Sequence, residues 1–69
     1  MESNRRGKTI KALRGLRDLS AGELGAMAGC ARMTITRIES GQSDPSVGLL
    51  VRILDALGAD EQVRLGLLK

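Results

Sequence analysis

The apolar residues of this chain recur with the spacing of amphipathic helices. Ile10, Leu13 and Leu16 lie three positions apart, so they share one face of a helix. Comparable spacing continues further along and predicts four helices, over about 8–17, 21–28, 32–40 and 47–57. With 69 residues the chain can build one domain around a small core.

Residues that start and end helices lie at the same boundaries. Ser20 and Glu23 have the spacing of a capping box, and Ser46 can cap the fourth predicted helix. A glycine, which tolerates positive φ, follows each of the last three predicted helices, at Gly29, Gly41 and Gly58.

The tail of the chain fits two structures. Asp60 and Glu61 could cap a fifth helix. Val63, Leu65 and Leu67, however, occupy every second position, which is the period of a strand. We favour the strand.

Residues 59–69 are predicted to be a dimerisation segment. A lone terminal strand would leave backbone N–H and C=O groups unpaired, and the same strand of a twofold-related copy could pair with them. A fifth helix could produce the same twofold symmetry by helix packing. The side chains predicted to form the homodimer interface are Val63, Leu65, Leu67 and Leu68.

The formal net charge is +3 and it is unevenly distributed. Residues 1–40 contain eight Lys or Arg and four acids, whereas residues 41–69 contain three and four. A basic half suits binding to phosphates, although ordinary solvated surface can give the same balance. The chain has no aromatic residue, which disfavours single-stranded nucleic acid because its bases stack on aromatic side chains.

The composition also argues against catalysis and metal binding. The chain has no histidine and one cysteine, so the commonest general base is missing and a zinc site cannot be built. We therefore expect no enzyme activity, no metal and no cofactor. Cys30 is interpreted as a buried structural thiol. No apolar run is long enough for a signal peptide or a membrane span, and we expect a cytoplasmic protein with no membrane partner.

The centre of the chain carries a recognisable motif, formed by Leu19, Ser20, Glu23, Leu24, Ala28, Gly29, Thr34, Ile35, Arg37, Ile38, Glu39 and Gly41. In this order and spacing these residues resemble the helix-turn-helix of the lambda-repressor-like family, also called the xenobiotic-response-element type. The resemblance extends from about Ile10 to Leu57. Three positions depart from the family pattern: Ala21 replaces a Gln, Gly25 replaces an Ala, and Ala31 replaces a Ser or Thr that caps the following helix.

The third predicted helix is where the residues and the resemblance indicate the same function. At about 100° per residue, Ile35 and Ile38 lie on one side, and polar side chains with Met33 lie on the other. Arginines there can bind guanine bidentately, and Met and Thr side chains can contact thymine methyl groups. The resemblance implies the same role for most of these positions. The predicted base-reading residues are Arg32, Met33, Thr36 and Arg37.

Contacts to DNA phosphates are expected from other positions. The Ser20 end of the second predicted helix offers backbone N–H groups and the positive end of the helix dipole. The loss of the usual Gln at Ala21 should weaken this contact. The predicted phosphate-contacting residues are Ser20, Ala21, Arg14, Arg17, Ser40, Gln42 and Ser43.

Glu39 is expected to have a structural role. It lies near the C-terminus of the third predicted helix, where the helix dipole disfavours a carboxylate. The resemblance implies that this Glu pairs with the Arg of the first helix that matches Arg14. Arg14 and Glu39 are therefore predicted to form a structural ion pair.

The predicted fold is all-α: a compact four-helix lambda-repressor-like DNA-binding domain with a short C-terminal strand or a fifth helix. Residues 1–7 are predicted to be a flexible basic N-terminal arm, which could enter a minor groove. Residues 8–58 are predicted to be the helix-turn-helix DNA-binding domain. The predicted function is a sequence-specific regulator of transcription, a repressor, that binds a palindromic double-stranded DNA operator as a homodimer.

Two other functions fit the same sequence. The chain could be the antitoxin of a toxin–antitoxin module, which would bind a toxin protein and autoregulate its operon. It could also be a helical adaptor that has lost DNA binding. A stoichiometric protein partner in material purified from the native host would favour the antitoxin.

Overall fold

The computed structural model describes residues 4–68, and this part of the chain forms helices without strands. Predictions that fall on residues 1–3 and on residue 69 lie outside the described residues. The helices are α1 (Arg5–Leu16), α2 (Ala21–Ala28), α3 (Arg32–Ser40), α4 (Val47–Leu57) and α5 (Glu61–Leu68). Residues 41–46 connect α3 to α4 and are called the α3–α4 loop.

One apolar core lies where the inward faces of the helices meet. Ile10 of α1, Leu24 of α2, Ile35 of α3 and Ile53 of α4 are fully buried in it. α2 packs against both α3 and α4, and α1 crosses α3. Since burying each such side chain contributes about 1.5–3 kcal/mol, these contacts fix the position of α3 in the domain.

The helix caps confirm the predicted starts of α2 and α4 and the predicted ends of α2, α3 and α4. The Ser20 hydroxyl accepts a hydrogen bond from the Glu23 N–H at 3.0 Å, and the Glu23 carboxylate accepts one from the Ser20 N–H at 2.8 Å. The Ser46 hydroxyl accepts from the N–H of Leu49 at 3.1 Å. All three glycines predicted to end helices, Gly29, Gly41 and Gly58, have left-handed backbone conformations.

α1 begins earlier than the sequence analysis predicted. Its first residue is Arg5 rather than Lys8, so residues 5–7 belong to the helix and not to a flexible arm. The Arg5 and Arg6 side chains donate hydrogen bonds to backbone carbonyls of α5. These two arginines are therefore engaged within the fold.

The favoured strand at the tail is wrong, because residues 61–68 form the helix α5. Asp60 caps this helix, since its Oδ1 accepts from the N–H of Val63 at 3.0 Å. Helical spacing turns Val63 and Leu67 toward the core, and Leu67 is only 4% exposed. Leu65 and Leu68 face outward, 53% and 39% exposed. The four residues predicted to form a dimer interface are therefore divided between the core and the surface.

Candidate nucleic-acid interface

α2 and α3 form a helix–turn–helix whose turn requires close backbone approach. Gly29 ends α2 with a φ of +78°. A Cβ at Gly25 would lie 2.7 Å from the carbonyl oxygen of Cys30 and 3.3 Å from the carbonyl carbon of Ala31. At this spacing the turn has no room for a Cβ at Gly25.

α3 begins without a side-chain cap and is held by its buried face. Ala31 occupies the N-cap position and makes no side-chain hydrogen bond there. Ile35 and Ile38 are buried in the core. The buried face therefore fixes the rotation of α3, and with it the direction of its outer side chains.

The outer face of α3 brings together all four residues predicted to read bases. Arg32, Met33, Thr36 and Arg37 are exposed. The Thr36 hydroxyl donates to the Met33 carbonyl at 3.0 Å, which fixes its orientation. A shallow depression follows this face and is lined by Met33, Thr36, Arg37, Ser40 and Gln42.

Several arginines elsewhere in the chain are bonded to carbonyl groups at helix C-termini. The Arg17 Nε donates to Leu57 of α4 at 2.8 Å, and the Arg52 Nε donates to Ala28 of α2 at 2.9 Å. These bonds satisfy carbonyls that have no partner within their own helices.

The two arginines of α3 are different. Within residues 4–68, no hydrogen bond or ion pair engages the guanidinium group of Arg32 or Arg37. Both cations lie on the exposed face of α3. They are therefore available to acceptors outside the domain, which a guanidinium binds well in bidentate geometry.

The first turn of α2 adjoins this face. Arg32 Cδ lies 3.6 Å from the point that a Cβ of Gly22 would occupy, so the Arg32 stem runs over that turn. The N–H groups of Ala21 and Gly22 have no partner within the helix, as at every helix start. Hydrogen bonds from the Ser20 N–H and hydroxyl hold the pKa of Glu23 below its ordinary value. The cap thus stabilises the charged form of the Glu23 carboxylate.

Ser40, Gln42 and Ser43 lie at and just beyond the C-terminal end of the exposed face of α3. The N–H groups of Gln42 and Ser43 donate to the Arg37 carbonyl at 2.9 and 3.3 Å, and the Ser40 hydroxyl donates to the same carbonyl at 3.1 Å. All three residues are exposed. The amide side chain of Gln42 and the hydroxyl of Ser43 are the groups that can still meet a phosphate, because the backbone donors are occupied.

Arg14 and Glu39 form a bidentate ion pair between α1 and α3. The Arg14 Nε lies 2.7 Å from Glu39 Oε2, and Nη2 lies 2.9 Å from Oε1. The remaining Nη1 donates to the Leu19 carbonyl at 2.8 Å. The two side chains are 19% and 6% exposed. The hydrogen bond with Glu39 raises the pKa of Arg14.

This geometry divides the residues predicted to contact phosphates. Arg14 and Arg17 have acceptors inside the domain, in the Glu39 carboxylate and the Leu57 carbonyl. Ser20 and Ala21 lie at the start of α2, and Ser40, Gln42 and Ser43 lie at the end of α3 and just after it. Among these five, the Ser40 hydroxyl is engaged by the Arg37 carbonyl, and the other four remain accessible to a phosphate.

Asn4 and Gly7, which the sequence analysis did not select, hold α3 against α1. The Asn4 side chain donates to the Glu39 carbonyl at 3.0 Å. A Cβ at Gly7 would overlap the Ile38 carbonyl oxygen. One signal was available: Gly7 and Ile10 lie three residues apart on the buried face of α1, where a glycine indicates close helix contact.

Comparison with known families identifies the class of domain. A family model described as a helix-turn-helix domain matches residues 7–67, and the chain therefore belongs to the helix-turn-helix domain family. Comparison with curated proteins gives no match, and comparison with solved structures gives none either.

Two further findings concern other kinds of site. None of the helices described here is long and apolar enough to cross a membrane. Within residues 4–68, no three His, Cys, Asp or Glu side chains are grouped so that they could hold a metal ion.

Proposed function

We propose that this domain binds double-stranded DNA in a sequence-specific manner and regulates transcription as a repressor, like the lambda-repressor-like members of the helix-turn-helix family. α3 enters the major groove. The main support for this proposal is that two guanidinium groups on the exposed face of α3, those of Arg32 and Arg37, have no hydrogen-bond or ion-pair partner within residues 4–68. In the same domain several other arginines are bonded to helix C-termini.

The outer side chains of α3 read base edges. The Arg37 guanidinium donates to O6 and N7 of a guanine, and the methyl groups of Met33 and Thr36 contact thymine methyl groups. Arg32 approaches the groove from the α2 side, because its stem crosses the first turn of α2 at Gly22. It can therefore contact a base or the adjacent phosphate.

Phosphate contacts flank the groove on both sides of α3. The N–H groups of Ala21 and Gly22 point toward one strand, with the positive end of the α2 dipole behind them. The side chains of Gln42 and Ser43 contact the other flank, whereas the Ser40 hydroxyl donates to the Arg37 carbonyl. These contacts fix the register of α3 in the groove and do not select a sequence.

Arg37→Ala should weaken operator binding by about 1–3 kcal/mol and relax the preference at one base pair in each half-site. The loss arises because an alanine cannot make the bidentate contact to guanine. The measurement is a set of titrations against single-base variants of an operator selected in vitro with the wild type.

Lys11→Ala is the matched control for Arg37→Ala, because it also removes one positive charge, from the exposed side of α1. It should weaken every operator variant equally or have no effect. An unchanged preference profile for both Arg32→Ala and Arg37→Ala would refute α3 as the base-reading helix.

We further propose that the domain binds DNA as a homodimer. One α3 covers only a few base pairs, which is too little for specificity in a genome. The outward face of α5 carries Leu65 and Leu68 in an exposed position, three residues apart, and supplies the interface. Leu67 is buried in the core behind this face, and the partly buried Val63 packs against the core. A twofold dimer would read a palindrome with half-sites roughly 34 Å apart.

Leu65→Arg should prevent dimer formation and lower the affinity for the full operator by about 100-fold, since the second half-site no longer adds its binding energy. The helices should remain intact because Leu65 is not part of the core. Sedimentation and operator titration measure the two effects. Leu16→Arg, an equivalent change at an exposed leucine of α1, should leave both unchanged. A wild type that stays monomeric at high micromolar concentration, with and without DNA, would contradict the dimer.

A further inference from the structure

The first turn of α1 joins α5 to the α3–α4 loop. The Arg6 Nε donates to the Leu67 carbonyl at 2.7 Å, and its Nη1 lies 3.1 Å from Asp44 Oδ2. Arg5 donates to the neighbouring carbonyl of Gly66 at 2.8 Å and has no such bond to the loop. A single guanidinium group therefore contacts both the C-terminus of α5 and the loop that follows α3.

α5 depends on these bonds for its position. The last carbonyls of a helix have no partner within it, and here cationic donors satisfy two of them at the negative end of the helix dipole. The one side chain of α5 that is fully in the core is Leu67, the residue whose carbonyl binds Arg6. The docked position of Leu67 therefore places the carbonyl that Arg6 binds.

The loop depends on Arg6 in turn. Asp44 directly follows Gln42 and Ser43, the residues proposed to contact phosphate. Its carboxylate is 74% exposed and is bonded to Arg6. A groove lined by Arg5, Arg6, Gln42 and Ser43 runs along this contact. Without Arg6 the loop would lose its side-chain tether to α1, and the unpaired carboxylate would repel the DNA backbone.

We propose that Arg6 is a positioning residue that couples the docking of α5 to the DNA affinity of the domain. The proposal rests on the DNA-binding function proposed above. While α5 is docked, Arg6 fixes the α3–α4 loop and neutralises Asp44. When α5 leaves the core, Arg6 loses the Leu67 carbonyl, the ion pair with Asp44 loosens, and phosphate contacts weaken. A second copy bound to the outer face of α5 therefore raises the affinity of each domain for its own half-site, in addition to binding a second half-site.

The test compares two leucine substitutions in the full chain. Leu67→Asn removes the buried anchor of α5, whereas Leu16→Asn makes the same change at an exposed position of α1, outside the proposed dimer and DNA contacts. The probe is a duplex with one half-site of the operator selected in vitro by the wild type, so that a second DNA contact cannot contribute. Leu67→Asn should weaken binding about fivefold or more, and Leu16→Asn by less than twofold. In an Asp44→Asn background the two variants should bind alike.

A second pair of variants leaves the core untouched, in case Leu67→Asn does not fold. Arg6→Gln and Arg5→Gln remove the same charge from adjacent residues, but only Arg6 contacts Asp44. Arg6→Gln should weaken half-site binding severalfold more than Arg5→Gln. It should also reduce hydrogen-exchange protection at the Gln42 and Ser43 N–H groups, which donate to the Arg37 carbonyl.

The outcomes separate this proposal from the function on which it rests. One set of results would overturn the coupling and leave the DNA-binding function standing. In it the wild type binds the duplex, Arg5→Gln and Arg6→Gln have equal half-site affinities, and exchange at the Gln42 and Ser43 N–H groups is unchanged. A wild type that selects no duplex overturns both.

Discussion

Glu39→Ala should lower the free energy of unfolding by about 3–5 kcal/mol, because it leaves the Arg14 guanidinium charged and unpaired in a mostly buried site. The pair has two short N–O contacts, at 2.7 and 2.9 Å. Glu39→Gln should cost less, since an amide oxygen can still accept one of these bonds. Urea unfolding followed by circular dichroism measures both changes.

A matched control and a double-mutant cycle define the contribution of the pair. Asp55→Ala breaks an ion pair of similar length, 2.7 Å to Arg64, whose carboxylate is 62% exposed, and it should cost at most about 1 kcal/mol. Arg14→Ala, Glu39→Ala and the double variant complete the cycle. Strictly additive losses would mean that the two side chains do not stabilise each other.

Gly7→Ala should destabilise the domain by about 3 kcal/mol, the upper part of the range for overpacked sites. The added methyl group would overlap the Ile38 carbonyl and lie 3.0 Å from that of Glu39. Both are backbone atoms of α3, so α1 and α3 must separate to admit it. The melting temperature should fall by on the order of 10–20 °C.

Gly15→Ala is the control for this substitution, because it makes the same change in the same helix. Within the described part of the chain, no atom lies within 4 Å of the position of its Cβ, other than its immediate surroundings in α1. It should stabilise the domain by about 0.5–1 kcal/mol through helix propensity. Equal melting temperatures for the two variants would refute close packing at Gly7.

The helix-turn-helix was predictable because its determinants are local in sequence. The predicted ranges 21–28, 32–40 and 47–57 coincide with α2, α3 and α4. Capping at Ser20 and Ser46 involves residues three positions apart, and the exposed face of α3 follows from helical periodicity. Local rules are sufficient for α2 and α4, where a serine caps the start, and for α3, where helical periodicity and Gly41 mark the range without a side-chain cap at Ala31.

The tail was misread because its apolar positions satisfy two periods. Residues 63, 65 and 67 alternate like a strand, but 63 and 67 are also one helical turn apart. The caps at both ends favour the helix over the strand. The Asp60 side chain caps its start, and Arg5 and Arg6 donate hydrogen bonds to the carbonyls at its end. Those arginines lie 61 residues away in sequence, and no local pattern indicates such a pairing.

The sequence predicted which residues lie at the candidate site, but not which of its arginines are bonded within the domain. Sequence spacing groups Arg14 and Arg17 with the other cations that could meet DNA. Which arginines are occupied depends on tertiary contacts, such as the Arg17 bond to the Leu57 carbonyl. The pairing of Arg14 with Glu39 was predicted, but the distinction between the bonded Arg17 and Arg37 could only come from the three-dimensional structure.

The separation of the two faces of α3 has a consequence for how such a domain can evolve. The core, the turn at Gly25 and the ion pair of Glu39 all lie on the inner side, whereas Arg32, Met33 and Arg37 add nothing to it. Exposed substitutions of this kind usually change stability by less than about 0.5 kcal/mol. The proposed base-reading residues can therefore change by single mutations while the domain stays folded. Under the proposed function, duplicated copies could diverge toward different operators without compensating changes in the core.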